Sequence, residues 1–411
     1  MWLPWPASLN IPPDLHIACI LARSDITGIA ALLGHQSTGP RGRFGIVGMG
    51  QNIEISPNPG DLRQSLGPST TPKIVLWSYE AGSQWMHLAP RDPPQGQPMA
   101  MSMPLDGWIL VDHQQKTLRF GGEVHHIQAL KQALDTPFKV LPMHASLRPI
   151  QSDTMHAQAI TQAQKYIAAG EFYQANVTRR LAIDGTFDPA TLLAKLSTRN
   201  PVAHGAFIRW GDFTLLSNSM ETLLIASAET RMLTSMPIKG TLRGGSANDA
   251  DLTHDQKERA EHVMIVDLVR NDLGRVAKPG TIHVTPWFDV ERYQGVMHGV
   301  STVRAELRPD QSIADAALAL FPGGSITGAP KRRCIELLRT LENEPRGAYT
   351  GSLALVMPDG RVSMSILIRT MVHDARGWNL NVGGGITIDS IPEREVQETW
   401  DKVAVFKESL V

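Results

Sequence analysis

The residues with the clearest chemical potential are two pairs of glutamates, each pair three positions apart. Glu258 and Glu261 share a face of one predicted helix, and Glu395 and Glu398 share a face of another. Two carboxylates on one face repel, so either solvent screens them or a cation offsets their charge. If the two helices face each other, the four carboxylates form an oxygen-rich site suited to Mg²⁺. The alternative is four solvated surface glutamates.

A single lysine, Lys239, stands between a proline and a glycine in the run 237–241, Pro-Ile-Lys-Gly-Thr. Proline fixes the backbone on one side and glycine frees it on the other. We therefore expect Lys239 at a bend, just after a strand-like run over 231–236. Such a bend could deliver an amine into a cleft, and the alternative is a lysine that caps a surface turn.

Cationic side chains and glycine runs supply further hydrogen-bond donors. We predict Arg369 at the end of a strand, where its guanidinium can grip a carboxylate through two hydrogen bonds, and Lys402 four positions after Glu398. The glycine-rich stretch 321–331 lacks the P-loop pattern but leads into a predicted helix whose N-terminal N–H groups could face an anion. Three glycines within 382–386 let a flat ligand approach the backbone. The alternative for Arg369 is an exposed position in a strand, and the alternative for Lys402 is a simple i,i+4 ion pair with Glu398. For the two glycine-rich runs the alternative is a tight turn.

The composition is that of an ordinary soluble globular protein. The 411 residues are 42% hydrophobic and 19% charged, and their number suits two domains or two interlocked subdomains. With 39 basic and 40 acidic side chains, no overall field attracts nucleic acid or an anionic membrane, so we expect neither as a partner. Cys19 and Cys334 lack metal-ligand spacing, and we expect both to be reduced and buried. Neither a signal peptide nor an apolar run of membrane-spanning length is recognisable, which predicts a cytoplasmic protein.

Short strands separated by loops rich in proline and glycine dominate the elements that must position these groups. Before residue 145 we predict an antiparallel sheet with strands at 44–48, 73–77 and 108–112, and the apolar segment 15–33 stays ambiguous. Later predicted elements are a helix over 154–169, a strand over 172–183, a hairpin with strands 207–210 and 213–216, and a strand near 221–226 that pairs with the one before Lys239. Strands outnumber helices and no internal repeat is visible, which indicates the α+β class.

Nine motifs, taken together and in order, resemble the chorismate-utilising enzymes, the family of anthranilate synthase component I, aminodeoxychorismate synthase component I, isochorismate synthase and salicylate synthase. The similarity covers roughly residues 150–411 and rests on the motifs at 237–241, 258–262, 267–273, 296–298, 323–331, 347–351, 368–370, 383–386 and 395–402. The resemblance implies an α+β fold with antiparallel β-sheets packed as a sandwich, flanking helices and two interlocked subdomains. We expect an N-terminal β-rich subdomain, residues 1–145, and a chorismate-binding catalytic domain, residues 150–411.

The resemblance also implies a role for each candidate residue. Mg²⁺ would bind the ring carboxylate of chorismate, with Glu261 and Glu398 as direct ligands and Glu258 and Glu395 reaching bound water. Glu221 occupies the place of the acid that protonates the departing hydroxyl at ring carbon 4, and burial would help it to keep its proton. The remaining assignments are His298 beside the leaving group and, for substrate binding, Gly240, Thr241, Ser325, Tyr349, Arg369, Gly383, Gly385 and Lys402.

The residue at position 239 separates the members of this family. Anthranilate and isochorismate synthases usually carry alanine there, whereas aminodeoxychorismate synthases carry lysine. The resemblance therefore implies that Lys239 attacks ring carbon 2 as the C4 hydroxyl leaves, and that ammonia then adds at carbon 4. Gln174, where the water-adding members place a lysine, cannot act as a general base. We expect 4-amino-4-deoxychorismate as product, for 4-aminobenzoate and folate synthesis. The alternatives are an anthranilate synthase component I and a catalytically silent chorismate-binding subunit.

The chain shows no ammonia-generating centre of its own. Neither cysteine lies in a glycine-flanked turn of the kind that presents a glutaminase nucleophile. The resemblance implies that ammonia comes from solution or from a separate glutamine amidotransferase subunit docked on this chain as a heterodimer.

Overall fold

Helices and strands are numbered here in chain order. The computed structural model describes residues 2–35, 42–56, 62–243, 256–293 and 296–411, with the side chains of 240–243, 256–258, 292–293 and 296–297 outside that description. The helices in these ranges are α1 Pro13–Leu21, α2 Leu62–Ser65, α3 Gly82–Trp85, α4 Val124–Asp135, α5 Asp153–Ala168, α6 Pro189–Arg199, α7 Gln256–Gly274, α8 Ile313–Leu320, α9 Lys331–Leu341, α10 Pro392–Lys402 and α11 Ala404–Ser409. Short 3₁₀ turns occur at Tyr79–Ala81 and Gly324–Ile326.

The described strands are mostly short and lie throughout the chain. They are β1 Leu3–Pro4, β2 Ile29–Leu33, β3 Phe44–Met49, β4 Glu54–Ser56, β5 Lys73–Trp77, β6 Ala100–Pro104, β7 Gly107–Asp112, β8 Thr117–Gly122, β9 His144–Pro149, β10 Gln174–Thr186, β11 His204–Trp210, β12 Phe213–Ser219, β13 Thr222–Ser227, β14 Met232–Met236, β15 Ile238–Arg243, β16 His283–Val284, β17 Asp289–Tyr293, β18 Val296–Val300, β19 Val303–Glu306, β20 Gly328–Ala329, β21 Ser352–Val356, β22 Arg361–Ile366, β23 Thr370–Asp374 and β24 Gly377–Ile386.

These strands form three antiparallel sheets in the part of the chain that the structure describes. The largest sheet has twelve strands in the order β1-β8-β7-β3-β2-β11-β12-β23-β24-β10-β20, with β9 paired to the far part of β10. A nine-stranded sheet has the order β16-β19-β14-β13-β22-β21-β5-β6-β4, and a three-stranded sheet has the order β15-β18-β17. The two large sheets both contain strands from before residue 145 and strands from after residue 150, so the two ends of the chain share their sheets.

Three of the four hydrophobic clusters among the described residues define the layers. One core joins residues of the twelve-stranded sheet, such as Ile46 and Ile208, to residues of the nine-stranded sheet, such as Leu76 and Met101, so the two sheets pack face to face. The outer face of the nine-stranded sheet is covered by α7, α8 and α9. The outer face of the twelve-stranded sheet is covered by α1, α4, α6 and α11. The result is a β-sandwich with helices on both sides, which confirms the predicted α+β class.

Most predicted elements are present, with shifts of a few residues at their ends. The helix predicted over 154–169 is α5, and the predicted hairpin is the β11–β12 pair, in which Trp210 lies opposite Phe213 and Gly211 takes a φ of +52° in the turn. The ambiguous segment 15–33 contains helix α1 and strand β2. The predicted strand 172–183 begins two residues later and ends three residues later, as β10.

The division at residues 145 and 150 into two domains stays a prediction. Within the described ranges, no helix combines the length with the apolar composition that crossing a bilayer requires.

Candidate functional site

A cavity of about 360 Å³ opens where the twelve-stranded sheet meets the three-stranded sheet and the helices α7 and α10. Its walls come from sequence positions more than 200 residues apart. The predicted site residues that line it are Glu221, Lys239, Glu261, His298, Ser325, Tyr349, Arg369, Gly383, Gly385, Glu395, Glu398 and Lys402. The fold therefore brings together most of the residues that the sequence singles out, and their chemical roles stay predictions.

Three predicted residues fall partly outside this description. Glu258 belongs to helix α7, one turn before Glu261, but its side chain lies outside the described residues. Gly240 and Thr241 are described as backbone of β15, where Thr241 lies opposite His298 of β18. The positions of these three residues relative to the cavity therefore stay predictions.

Lys239 lies in strand β15, not at the bend that the sequence predicts. The register between β15 and β18 shifts between Lys239 and Thr241, so the strand carries an irregularity of the kind that re-aims a side chain. The Lys239 amine is 3.8 Å from a carboxylate oxygen of Glu261, and the two side chains are only 16% and 15% exposed. A β-carbon added to Gly385 would be 3.0 Å from the Lys239 nitrogen and 2.1 Å from the Gln174 amide nitrogen. Because Gly385 has no side chain, these two groups can converge beside the backbone of β24.

Glu221 is a buried acid at the end of the cavity. It stands in the tight link between β12 and β13 and is 4% exposed. Burial raises the pKa of Glu221 to about 7, although a 2.5 Å hydrogen bond from the Ser325 hydroxyl and the charge of Lys239 both favour the carboxylate. The Ile366 amide donates to the Glu221 carbonyl and fixes the link against β22. A carboxyl group in this state can hold a proton near neutral pH and release it to a leaving group.

Helix α10 supplies a second group of charges. Pro392 stands in its first turn, and the spacing that the sequence predicts puts Glu395 and Glu398 on the cavity side. The Lys402 amine donates to the Gly383 carbonyl at 2.8 Å and pairs with Glu398 at 2.7 Å. The buried Glu395 carboxylate accepts a 2.7 Å hydrogen bond from the Ser390 hydroxyl.

The donor set suits a hard divalent cation. Glu261, Glu395 and Glu398 offer carboxylate oxygens to one cavity, and such oxygens are the ligands that Mg²⁺ takes. The carboxylates of Glu395 and Glu398 lie next to the backbone of Gly384, since a β-carbon there would make ordinary contacts of 3.4 Å with a Glu395 oxygen and 3.9 Å with a Glu398 oxygen. The donor chemistry of these residues therefore fits the Mg²⁺ that the sequence predicts, although among the described residues the carboxylate oxygens of all three do not lie within 4.8 Å of one another.

A different cluster with metal-binding side chains lies at the start of α4. One ligand atom each of Glu123, His125 and His126 lies within 4.8 Å of the other two. The first two residues are exposed, and none of the three lines the cavity.

The prediction that Arg369 ends a strand was wrong. Arg369 does line the cavity, but it precedes β23 with a φ of +49° and is not part of a strand. In the glycine-rich stretch, Ser325 and Ile326 of the 3₁₀ turn line the cavity, and the predicted helix follows at Lys331 with Pro330 as its N-cap. The Lys331 amine is buried and bonds to Asp272 and to the Leu320 carbonyl, so it holds α9 to α7 and α8. Within this motif, the charged Lys331 therefore stabilises the packing of helices, whereas Ser325 lines the cavity.

Two further polar residues of the cavity, Asn176 and Asn381, were not singled out from the sequence. The Asn176 amide nitrogen donates to the Ser325 carbonyl at 3.2 Å, and its oxygen is buried without a hydrogen-bond partner among the described residues, as is the Asn381 oxygen. Asn176 lies on β10 and Asn381 on β24, and the pairing of these two strands puts Asn176 opposite Gly385. The period-2 pattern of β24, with Asn381, Gly383 and Gly385 on one face, is the signal that could have found Asn381.

Tyr349 is held by a buried network that the sequence analysis also missed. Burial raises the pKa of its phenol, so the group stays protonated and can donate to an anion. The network behind it contains Glu80, Glu342 and Arg346, with the Arg346 guanidinium 4.5 Å from the centre of the Tyr79 ring. Burial raises the pKa of Glu80 to about 7 against the pull of its hydrogen bonds from the Arg346 and Gly347 amides.

Comparisons with known proteins agree with this geometry. Residues 54–408 match the family described as chorismate binding enzyme. Anthranilate synthase component 1 1 of Haloarcula marismortui is 43% identical over 252 residues, which is 60% of this chain and 51% of that protein. Aminodeoxychorismate synthase component 1 of Bacillus subtilis is 37% identical over 260 residues, 62% of this chain and 55% of that protein. The chain thus spans about half the length of the curated relatives that it matches.

Solved structures share the fold over nearly the whole chain. Anthranilate synthase component I from Streptococcus pneumoniae TIGR4 superposes with a TM-score of 0.74 at 25% identity, covering 93% of this chain and 90% of that one. The menaquinone-specific isochorismate synthase of Escherichia coli gives a TM-score of 0.76 at 17% identity, covering 100% of this chain and 94% of that one. The sandwich architecture predicted from the sequence is therefore that of these enzymes.

Proposed function

This chain belongs to the chorismate binding enzyme family, and we propose that within it the chain is component I of an aminodeoxychorismate synthase. In this proposal, chorismate and ammonia give 4-amino-4-deoxychorismate and water. The observation that carries the proposal is an amine, Lys239, beside a buried acid and three carboxylates in one cavity. An amine there supplies a nucleophile that an alanine could not.

The proposed reaction has two displacements with balanced atoms. The neutral Lys239 amine forms a bond to ring carbon 2 of chorismate while the double bonds shift and the C4–O bond breaks. Glu221 gives its proton to the departing oxygen, and water leaves. Ammonia then forms a bond to carbon 4, the double bonds shift back, and the C2–N bond to Lys239 breaks with its electron pair returning to the lysine nitrogen. The new C4 ammonium gives up a proton that restores the acid form of Glu221. A pKa of about 7 suits Glu221 to this duty, because a sizeable fraction of the acid form persists at neutral pH.

The remaining cavity residues bind and orient the substrate in this proposal. Arg369, Lys402 and the protonated Tyr349 are the donors for its two carboxylates. Mg²⁺ would be held by Glu258, Glu261, Glu395 and Glu398, and would supply Lewis-acid polarisation of the ring carboxylate when bound.

We propose that ammonia reaches the site from a separate glutamine amidotransferase subunit. Both cysteines of the chain are buried, and burial raises the pKa of each thiol, that of Cys334 to about 12. Neither is an exposed, activated nucleophile of the kind that hydrolyses glutamine. The relatives named above carry the designation component 1, which agrees with a partner subunit.

A second candidate function is that of anthranilate synthase component I. It is favoured by the 43% identity to an anthranilate synthase component, against 37% for the aminodeoxychorismate synthase component of B. subtilis. Both reactions use chorismate and ammonia, but they aminate different ring carbons. The product therefore decides between them.

Product analysis with chorismate, Mg²⁺ and ammonium chloride tests the proposal. We expect the mass of 4-amino-4-deoxychorismate, and 4-aminobenzoate only after a separate lyase is added. Anthranilate fluorescence without any lyase would instead support the second candidate. No turnover at saturating ammonia would support a catalytically silent subunit.

A further inference from the structure

The segment that carries Tyr349 has a backbone that its own sequence does not fix. Between α9 and β21, Gly347 takes a φ of +65° and Thr350 a φ of +61°. The left-handed region is unfavourable for a threonine, so this conformation persists only where the surroundings impose it. Inside the segment, the Gly351 amide donates to the Ala348 carbonyl at 3.0 Å, and the Thr350 amide donates outward to the Leu367 carbonyl.

Side chains from the N-terminal part of the chain impose that conformation. One Glu80 oxygen accepts from the Arg346 amide at 2.7 Å and the other accepts from the Gly347 amide at 2.9 Å. The Gln97 side-chain oxygen accepts from the next amide, that of Ala348, at 2.8 Å. Three consecutive backbone N–H groups thus end on two side chains that are about 250 positions away in the sequence. Glu80 itself is 3% exposed, so water does not replace it.

The same segment is tied to two other walls of the cavity. The Arg346 guanidinium bonds to Glu342, and it donates to the Ile326 carbonyl at 2.9 Å and to the Asn176 carbonyl at 2.6 Å. Ile326 and Asn176 both line the cavity. A change in the backbone of residues 346–348 therefore acts on the position of Tyr349 and on the walls that it faces.

We infer that Glu80 is a positioning residue, which sets the backbone of residues 346–348 and thereby aims the Tyr349 hydroxyl at the bound substrate. This inference rests on the proposed function only in naming chorismate as the ligand of Tyr349. Glu80 touches no part of the cavity itself, and its effect passes through the Arg346 and Gly347 amides. It gives the N-terminal part of the chain a defined contribution to substrate binding.

The substitution Glu80→Gln tests this inference. It keeps the size of the side chain but replaces one acceptor oxygen by an NH₂ group that faces a backbone N–H. We expect the KM for chorismate to rise about tenfold with kcat changed less than about twofold, because losing one of the acceptors that fix the backbone of 346–348 displaces Tyr349 and weakens ground-state and transition-state binding alike. In hydrogen–deuterium exchange, peptides containing 346–351 should exchange about tenfold faster than in the wild type.

Three further measurements make the test decisive. Glu344→Gln is the matched control, since Glu344 stands on the same connection but pairs with Arg180 and Arg376 at the surface, and its KM and exchange should match the wild type. If Glu80→Gln does not fold, Gln97→Met removes the acceptor for the Ala348 amide, together with the hydrogen bond that the Gln97 side-chain nitrogen donates to Asp374. This variant should raise KM in the same direction. Glu80→Asp keeps the charge and should restore part of the wild-type KM.

The failure of this inference is distinguishable from the failure of the proposed function. Wild-type exchange rates over 346–351 and a wild-type KM in Glu80→Gln would overturn the positioning role, even with full turnover of chorismate. A wild-type protein that does not act on chorismate would overturn the proposed function, and the exchange measurement would still decide whether Glu80 holds the segment.

Discussion

The cavity contains two lysines, each beside a glutamate, and their attachments differ. Lys402 donates to the Gly383 carbonyl at 2.8 Å and pairs with Glu398 at 2.7 Å, one turn away on the same helix. Lys239 approaches Glu261 only to 3.8 Å, from a separate strand and at a break in the strand register. An amine with two hydrogen-bonding partners keeps its place, which suits the binding of an anion. A loosely held amine can move toward an electrophile, which suits covalent chemistry.

The strongest test of this difference is Lys239→Ala. In the proposed function this variant loses its nucleophile, so C4 amination should fall on the order of 10³-fold, equivalent to about 4 kcal/mol of activation barrier. The measurement is product formation from chorismate and ammonia, with intact-mass analysis of protein quenched during turnover. The wild type should show a chorismate-derived adduct that the variant lacks. An unchanged product and rate in Lys239→Ala would contradict the covalent role.

Glu221→Gln separates proton donation from nucleophilic attack. Removing a general acid costs about 10²-fold in kcat. Because burial raises the pKa of Glu221 to about 7 and the protonated form is the active one, the wild-type kcat should decline as the pH rises above about 7. The variant should have a low kcat without this decline. A wild-type kcat that stays level between pH 6 and 9 would rule out Glu221 as the acid.

Lys402→Ala should behave as the loss of a binding group. We expect the KM for chorismate to rise about tenfold while kcat changes much less, because a charge-assisted hydrogen bond of this kind serves substrate and transition state equally. Lys407→Ala is the matched control, since Lys407 is exposed in the following helix. A large fall in kcat with an unchanged KM would contradict the proposal that Lys402 binds the substrate while Lys239 is the nucleophile.

Glu398→Gln probes the carboxylate beside Lys402. We expect the Mg²⁺ concentration for half-maximal activity to rise about tenfold, because an amide is a weaker ligand for a hard cation than a carboxylate. Glu393→Gln, on an exposed part of the first turn of the same helix, should titrate like the wild type. If the Mg²⁺ dependence of activity in Glu398→Gln equals that of the wild type, Glu398 is not a ligand of the metal.

The two lysine environments also show what local sequence can reveal. Glu395, Glu398 and Lys402 lie on one helix, so their spacing alone puts them on one face, and the structure places all three at the cavity. The role of Lys239 is predicted from the family resemblance, because no local sequence period relates a residue in a strand to a helix in another part of the chain. The bend predicted at Lys239 is wrong for the same reason, since the pairing of β15 with β18 overrides the local effect of Pro237.

Long-range contacts account for the residues that sequence reasoning missed. Glu80 reaches the Arg346 and Gly347 amides across more than 260 positions, and nothing in the run around Glu80 encodes that contact. The sequence predicts Arg369 at the end of a strand, but in the link from β22 to β23 its backbone takes the left-handed conformation. Backbone conformations of this kind follow from how two sheets are joined, which a single sequence does not display.

The smallest effect should come from filling the space between Lys239 and Gln174. In Gly385→Ala, the new β-carbon would lie 2.1 Å from the Gln174 amide nitrogen, so the flexible end of Gln174 must shift. Because that shift displaces only a side-chain end, we expect kcat/KM to fall about fivefold, equivalent to about 1 kcal/mol, with little change in melting temperature. Gly205→Ala is the control, since in strand β11 of the same sheet its β-carbon would make an ordinary 3.4 Å contact with Leu33. Equal activity in both variants would show that Gln174 and Lys239 do not need the space beside Gly385, whereas a loss confined to Gly385→Ala would tie the loosely held lysine to that part of β24.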